Sequence, residues 1–309
     1  MSVAFVFPGQ GSQKVGMGRS LYESFPEARR LFEEADRILG LGISKLCFEG
    51  PEELLRETRY TQPAVMVCSL AAFEALRARG LSPDIVAGHS LGEYTALVAA
   101  GVLSFEDGLR AVKARAELMA KASEERPGAM AAIIGLDERK VEEACREGSK
   151  EGIVVPANFN SPEQIVISGE RKAVERAVEA AKRLGAKRCV MLRVSGAFHS
   201  PLMRSAQEGL EAELDGMGFK PPEVKLVQNV TGDFESDPDR IKANLIRQLT
   251  SPVRWTDSVE RMIEEGAEVF VEVGPGRVLS GLISRISPRV KTISVQEAGD
   301  VEEVVGGLI

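Results

Sequence analysis

Short, almost unbroken apolar runs alternate along the chain with longer segments whose apolar residues return every three or four positions. That pattern predicts buried strands covered by amphipathic helices. Met1 to Phe7, Ile85 to Ala87 and Val269 to Val273 read as such strands. Residues 19–39 form a charged amphipathic helical stretch, and Glu52 to Thr58 a short helix after Pro51. A stronger helix starts at Tyr60-Thr61-Gln62-Pro63, with Thr61 as its N-cap, and runs to Arg79 before Gly80. Ser104-Phe105-Glu106-Asp107 places an N-cap and two acids at the head of the next long helix. Asp237-Pro238 opens another, which must end before Pro252. Gly274-Pro275-Gly276 then turns the last strand into a helix over Arg277 to Ile286.

From Gly128 the pattern changes. Ala129 to Ile134 predicts a strand, Asp137 to Gly148 a helix, and Ile153 to Asn158 a second strand. After a turn at Asn160-Ser161-Pro162 come a strand at Gln164 to Ser168, a helix at Arg171 to Leu184 and a strand at Lys187 to Val194. The order β-α-β-β-α-β is the ferredoxin-like arrangement. Residues 126–196 are therefore expected to form a small subdomain inserted into a larger α/β one built from 1–125 and 197–309.

Composition narrows the classes. With 309 residues, 44 % of them hydrophobic and 28 % charged, the chain can bury a large core. A net charge of −7 argues against nucleic acid as the main partner. No apolar run reaches membrane-spanning length, and the first residues lack the basic region and small-residue cleavage site of a secretory signal. Cys47, Cys68, Cys145 and Cys189 are scattered with no C-x-x-C pair, which fits reduced thiols in the cytoplasm. Those cysteines and two histidines offer no ligand cluster, so no metal is expected.

The chemistry centres on Gly88-His89-Ser90-Leu91-Gly92, between the strand at Ile85 and a helix opening at Gly92-Glu93. G-x-S-x-G in that context is a nucleophile elbow, with glycines where backbone must meet backbone and a serine lifted clear of the sheet. The first helix N–H groups point the same way and favour an oxyanion. Pro8-Gly9-Gln10-Gly11-Ser12-Gln13, after the first strand, fails the phosphate-loop and dinucleotide patterns, since Lys14 stands where a third glycine belongs. It reads as a loop whose N–H groups face a site, with Gln10 a second oxyanion donor, or as an ordinary turn. Arg115 has Ala111, Val112, Leu118 and Met119 at helical spacing, apart from Arg110, Glu117 and Lys121. It either snorkels or pairs with a structural carboxylate, or awaits a carboxylate on a ligand. Of the two histidines, His89 adjoins the serine and would point elsewhere around the elbow. His199, on a loop before Ser200 (N-cap) and Pro201 (N1), is the better base. Gln248, in the last turn before Pro252, reads by itself as a solvated helix end.

Taken together, Phe7-Pro8-Gly9-Gln10-Gly11-Ser12-Gln13, the elbow and Gly196-Ala197-Phe198-His199-Ser200-Pro201 resemble malonyl-CoA:acyl carrier protein transacylases of fatty acid synthesis. The resemblance extends to Tyr60-Thr61-Gln62-Pro63-Ala64, Asn158-Phe159-Asn160-Ser161-Pro162, Gln248 through Trp255 and Glu272 through Gly276. It implies an α/β-hydrolase-like large subdomain beside the ferredoxin-like one. It also implies Ser90 as the acyl-accepting serine, His199 as its base, and the N–H groups of Gln10 and Leu91 as the oxyanion hole. Arg115 would take the malonyl carboxylate, Gln62 would line the site, and the backbone carbonyl near Gln248 would orient the histidine. Phe198, just before the histidine, goes with malonyl rather than methylmalonyl. The implied substrates are malonyl-CoA and a phosphopantetheinylated acyl carrier protein, with no separate cofactor, and a monomer is expected. A transferase for another acyl group or a serine thioesterase of the same superfamily are the alternatives. Carrier proteins of this pathway are typically acidic, so docking needs local positive charge, for which Lys182, Lys187 and Arg188 are candidates within a stretch from Ala181 to Arg193 that has no acid.

Overall fold

The computed structural model describes residues 2–194 and 196–308. Among them, ten strands make two sheets: β1 (Ser2–Phe7), β2 (Ile85–Gly88), β3 (Ala129–Ile134), β4 (Val154–Ser161), β5 (Gln164–Gly169), β6 (Arg188–Met191), β7 (Lys225–Gln228), β8 (Asp233–Phe234), β9 (Ala267–Val273) and β10 (Lys291–Val295). The larger sheet runs β10-β9-β1-β2-β7-β8 and is parallel except for the β7–β8 pair. β1 is central because it is apolar on both faces. Val3, Phe5 and Phe7 enter the core beneath one helical layer, while Ala4 and Val6 pack with Trp255 and Phe270 on the other side. Phe7 pairs with Gly88, so β1 and β2 end at the same edge and release their loops side by side. The carboxyl edge of parallel strands is where α/β sheets build sites.

The smaller sheet has the order β4-β5-β3-β6 and is antiparallel throughout. Two helices, Glu138–Gly148 and Arg171–Arg183, cover one face and share a core with Ile133, Ile167 and Val154. This is the ferredoxin-like order predicted from the pattern. Alternation leaves Met130, Ala132 and Val166 on the opposite face, in the core of the larger unit. Backbone bonds from Phe159 N to Val253 O and from Val253 N to Ala157 O, each 2.9 Å, tie β4 to the chain ahead of Trp255.

Several boundaries differ from expectation. The stretch at 19–39 is two helices, Arg19–Ser24 and Pro26–Leu39, because Pro26 suits a helix start and not an interior. The short helix after Pro51 ends at Leu55, and Thr58 already begins the next one, Thr58–Arg77. Thr61 is consequently no N-cap. It lies inside the helix, its hydroxyl donating to the carbonyls of Leu55 and Glu57. β4 runs on through Asn160 and Ser161, where a turn was expected. The last strand of the small sheet is only Arg188–Met191, shorter than Lys187 to Val194.

Candidate active site

The elbow is as tight as the glycine spacing requires. A Cβ on Gly88 would overlap the Gly92 carbonyl, and one on Gly92 would overlap the Phe7 carbonyl. Ser90 sits on the bend at φ 53°. His199 is the other non-glycine residue with positive φ among the described residues, at 56°. Left-handed backbone on such residues costs about 1–3 kcal/mol, so both bends are held by their surroundings. Ser200 caps the next turn, its Oγ accepting from Leu202 N and donating to the Ala197 carbonyl, which pins the loop carrying His199.

These two strained residues meet. Ser90 Oγ lies 2.8 Å from His199 Nε2, and His199 Nδ1 lies 2.8 Å from the Gln248 carbonyl oxygen. A carbonyl can only accept, so Nδ1 carries the proton and Nε2 is left to accept from the serine hydroxyl. The imidazole is buried, and burial first, then the Arg115 cation, push its pKa down to about 3. It is a neutral base in this state. His89 points away as expected, its Nε2 2.8 Å from Asn160 Oδ1 and its ring packed edge-on against Trp255.

Arg115 is 1 % exposed, and among the described residues no carboxylate forms an ion pair with it. One terminal nitrogen donates to Gln62 Oε1 at 2.5 Å; the other donates to Gln248 Oε1 at 2.9 Å and to Ser90 Oγ at 3.1 Å. Its Nε is buried without a partner. The guanidinium stands over the Tyr94 ring at 5.4 Å, and burial lowers its pKa. The helix face that separated it from the solvated charges thus delivers a desolvated cation to the serine.

A cavity of about 120 Å³ joins Ser90, His199, Arg115 and Phe198 to Gln10 and Leu91. Among the described residues, the backbone N–H groups of Gln10 and Leu91 donate to no protein acceptor, and both belong to this cavity. A second cavity of about 200 Å³ continues past His89 and Gln10, between Asn158, Asn160 and Val278. A larger groove, about 570 Å³ at the opposite edge beside Pro83 and Lys225, holds none of these groups.

Two residues that sequence reasoning passed over, Asn229 and Glu93, complete the site together with the side chain of Gln248. Asn229 Oδ1 accepts from Ser90 N at 2.7 Å while its Nδ2 donates to the Gly88 carbonyl, bracing the elbow from behind. The Gln248 side chain, expected to be solvated, is fully buried and donates to the Ser90 carbonyl and to Glu93. Glu93 is fully buried too, and burial pushes its pKa up to about 7 against the hydrogen bonds from Gln248, Asn229 and Gln228 that hold it down. The basic stretch is less bare than its sequence suggests. Lys182 pairs with Glu179 at 2.7 Å and Lys187 with Glu163 at 3.3 Å, whereas Arg188 makes no ion pair among the described residues.

Known proteins carry the same organisation. The acyl transferase domain family matches residues 4–309. The chain is 48 % identical to the malonyl CoA-acyl carrier protein transacylase of Bacillus subtilis, over 97 % of this chain and 95 % of that one. The protein of the same name from Staphylococcus aureus is 44 % identical over 97 % of each. Among solved structures, the acyl-carrier-protein-S-malonyltransferase of Bartonella henselae superposes with a TM-score of 0.95 at 44 % identity, covering 99 % of this chain and 100 % of that one. A malonyl-transacylase in complex with a type II PKS acyl-carrier protein superposes at 0.96, with 43 % identity and coverage of 99 % and 100 %. Agreement of that extent in sequence and in fold places the chain in the acyl transferase family, among the malonyl CoA-acyl carrier protein transacylases.

Proposed function

We propose that the protein transfers a malonyl group from malonyl-CoA to the phosphopantetheine thiol of an acyl carrier protein, through an ester on Ser90. The observation that carries this reading is one oxygen: Ser90 Oγ lies within hydrogen-bond reach of both a neutral imidazole and a buried guanidinium. His199 takes the hydroxyl proton as Oγ attacks the thioester carbonyl, and the Gln10 and Leu91 N–H groups receive the oxyanion. Arg115 binds the distal carboxylate in a charge-assisted pair. Coenzyme A leaves as its sulfur takes the proton from His199. The carrier thiol then loses its own proton to His199 and attacks the ester, so the acyl group is exchanged and no water is consumed. The second cavity, with Asn158 and Asn160 along it, suits the amide-bearing arm of either thiol.

A serine hydrolase would place a carboxylate behind its histidine. Here that partner is the Gln248 carbonyl, which fixes the tautomer without adding negative charge. The test is intact-protein mass spectrometry after mixing with malonyl-CoA. A single malonyl adduct that maps to Ser90, disappears in Ser90→Ala and transfers to carrier protein is expected. An adduct of normal yield in Ser90→Ala would overturn the mechanism.

A further inference from the structure

A guanidinium buried to 1 % exposure with no direct carboxylate partner is costly to keep charged. We propose that Glu93 is its counter-ion, held one amide away by Gln248, so that Arg115 stays charged and correctly aimed while no protein carboxylate competes with that of the acyl group. This makes Glu93 a positioning residue for specificity, and it rests on the reading that Arg115 takes the malonyl carboxylate.

The donor and acceptor pattern leaves one arrangement. Glu93 Oε2 accepts from Gln248 Nε2 at 2.6 Å and from Asn229 N at 3.3 Å, and Oε1 accepts from Gln228 Nε2 at 3.1 Å. Every neighbour is a donor, which suits a carboxylate and leaves an amide or a protonated acid with a hydrogen facing hydrogens. Gln248 Nε2 also faces the Ser90 carbonyl at 2.9 Å and Asn229 Oδ1 at 3.4 Å. Turned over, the Gln248 amide would set its oxygen against those oxygens and its NH2 against the guanidinium. Its Oε1 therefore points to Arg115, 2.9 Å away. Carboxylate, amide and guanidinium form a line in which each bond polarises the next. Attraction between unlike charges persists over this distance in a dry interior, yet the face of Arg115 toward Ser90 is not claimed by a protein acid.

The plainer account is that Glu93, in the first turn of the elbow helix Gly92–Ala99, only complements the helix N-terminus. The two accounts separate in a double-mutant cycle on the full-length protein at about pH 8.5, above the Glu93 pKa of about 7, where the carboxylate is the charged form. Arg115→Met removes the cation and keeps apolar volume; Glu93→Gln removes the anion and keeps shape. As counter-ion, Glu93→Gln should lower Tm in the wild-type background, and at least half of that loss should vanish in the Arg115→Met background. It should also lower kcat/KM for acylation by malonyl-CoA roughly tenfold or more relative to acetyl-CoA, the size of one charge-assisted hydrogen bond. Additive losses of Tm, or equal losses for the two acyl groups, would reduce Glu93 to a helix cap and overturn the proposal. Should Glu93→Gln not fold, a folded double variant supports the coupling and an unfolded one refutes it. Arg115→Met alone tests the underlying reading: if it spares malonyl as well as acetyl, that reading fails, whatever the coupling.

Discussion

At the scale of single residues, the site stores cost in order to hold chemistry. Ser90 and His199 both adopt left-handed backbone, and His199 is kept neutral inside the protein. That neutrality has a consequence for stability. The unfolded imidazole titrates near 6.5 and the folded one near 3, so the unfolded chain takes up its proton first as pH falls. The contribution of His199 is complete above about pH 6.5 and is lost progressively down to about 3, at up to about 1.4 kcal/mol per pH unit. Glu93 acts with the opposite sign. Its pKa is raised from 4.5 to about 7, so its contribution is complete below 4.5 and is lost as pH rises through 7. Between 4.5 and 6.5 the two offset one another. His199→Gln leaves Glu93 acting alone, so Tm between pH 6.5 and 4.5 should hold or rise on acidification where the wild type falls or stays flat. Parallel Tm curves for the two proteins would show that burial of the imidazole is not the source of acid sensitivity.

At the scale of elements, the elbow depends on two glycines lying against backbone rather than side chains. Nothing in a carbonyl can swing away as a side chain would, so Gly88→Ala should cost about 3 kcal/mol or more, read as a lowered urea midpoint. A Gly88→Ala protein as stable as wild type would mean that strand and helix can part without penalty. The same local rules explain what the chain makes legible. Ser90, His199 and Arg115 announce themselves through turn glycines, a Ser-Pro helix start and an apolar helix face, each a pattern within about ten residues. The ferredoxin-like order is likewise written in periods of two and 3.6. Glu93 and Asn229 are not legible, because their roles exist only across separations of 135 to 155 residues, where Gln228, Asn229 and Gln248 reach the elbow. Thr61 misleads for a related reason. Thr-x-Pro resembles a helix start, yet tertiary packing extends the helix back to Thr58 and buries Thr58 and Thr61.

At the scale of the whole molecule, a protein of net charge −7 must overcome repulsion at long range if its carrier is acidic, as the family resemblance implies. Local positive charge near the site is then required, and the end of the helix Arg171–Arg183 with the edge strand β6 that follows it offers it. Lys182, Lys187 and Arg188 are all exposed, and the chain leaves β6 through Leu192 and Val194, both of which line the acyl cavity. The ion pairs rank the three. Lys182 and Lys187 are already shared with Glu179 and Glu163, so reversing either also frees an acid, whereas Arg188 projects an uncommitted charge among the described residues. Exposed pairs contribute little to stability, so Glu substitutions here should leave the fold intact. We expect Arg188→Glu to raise the KM for carrier protein more than Lys182→Glu does, and the triple reversal to raise it most. The effect should shrink in high salt, since exposed charges are screened beyond about 10 Å at 0.1 M. Acylation of Ser90 by malonyl-CoA alone should be little changed, because that half-reaction never meets the carrier. A carrier KM that stays constant at low salt in the triple variant would remove β6 from the docking surface and move the search to the rim beside Val278, which is 50 % exposed at the mouth of the second cavity.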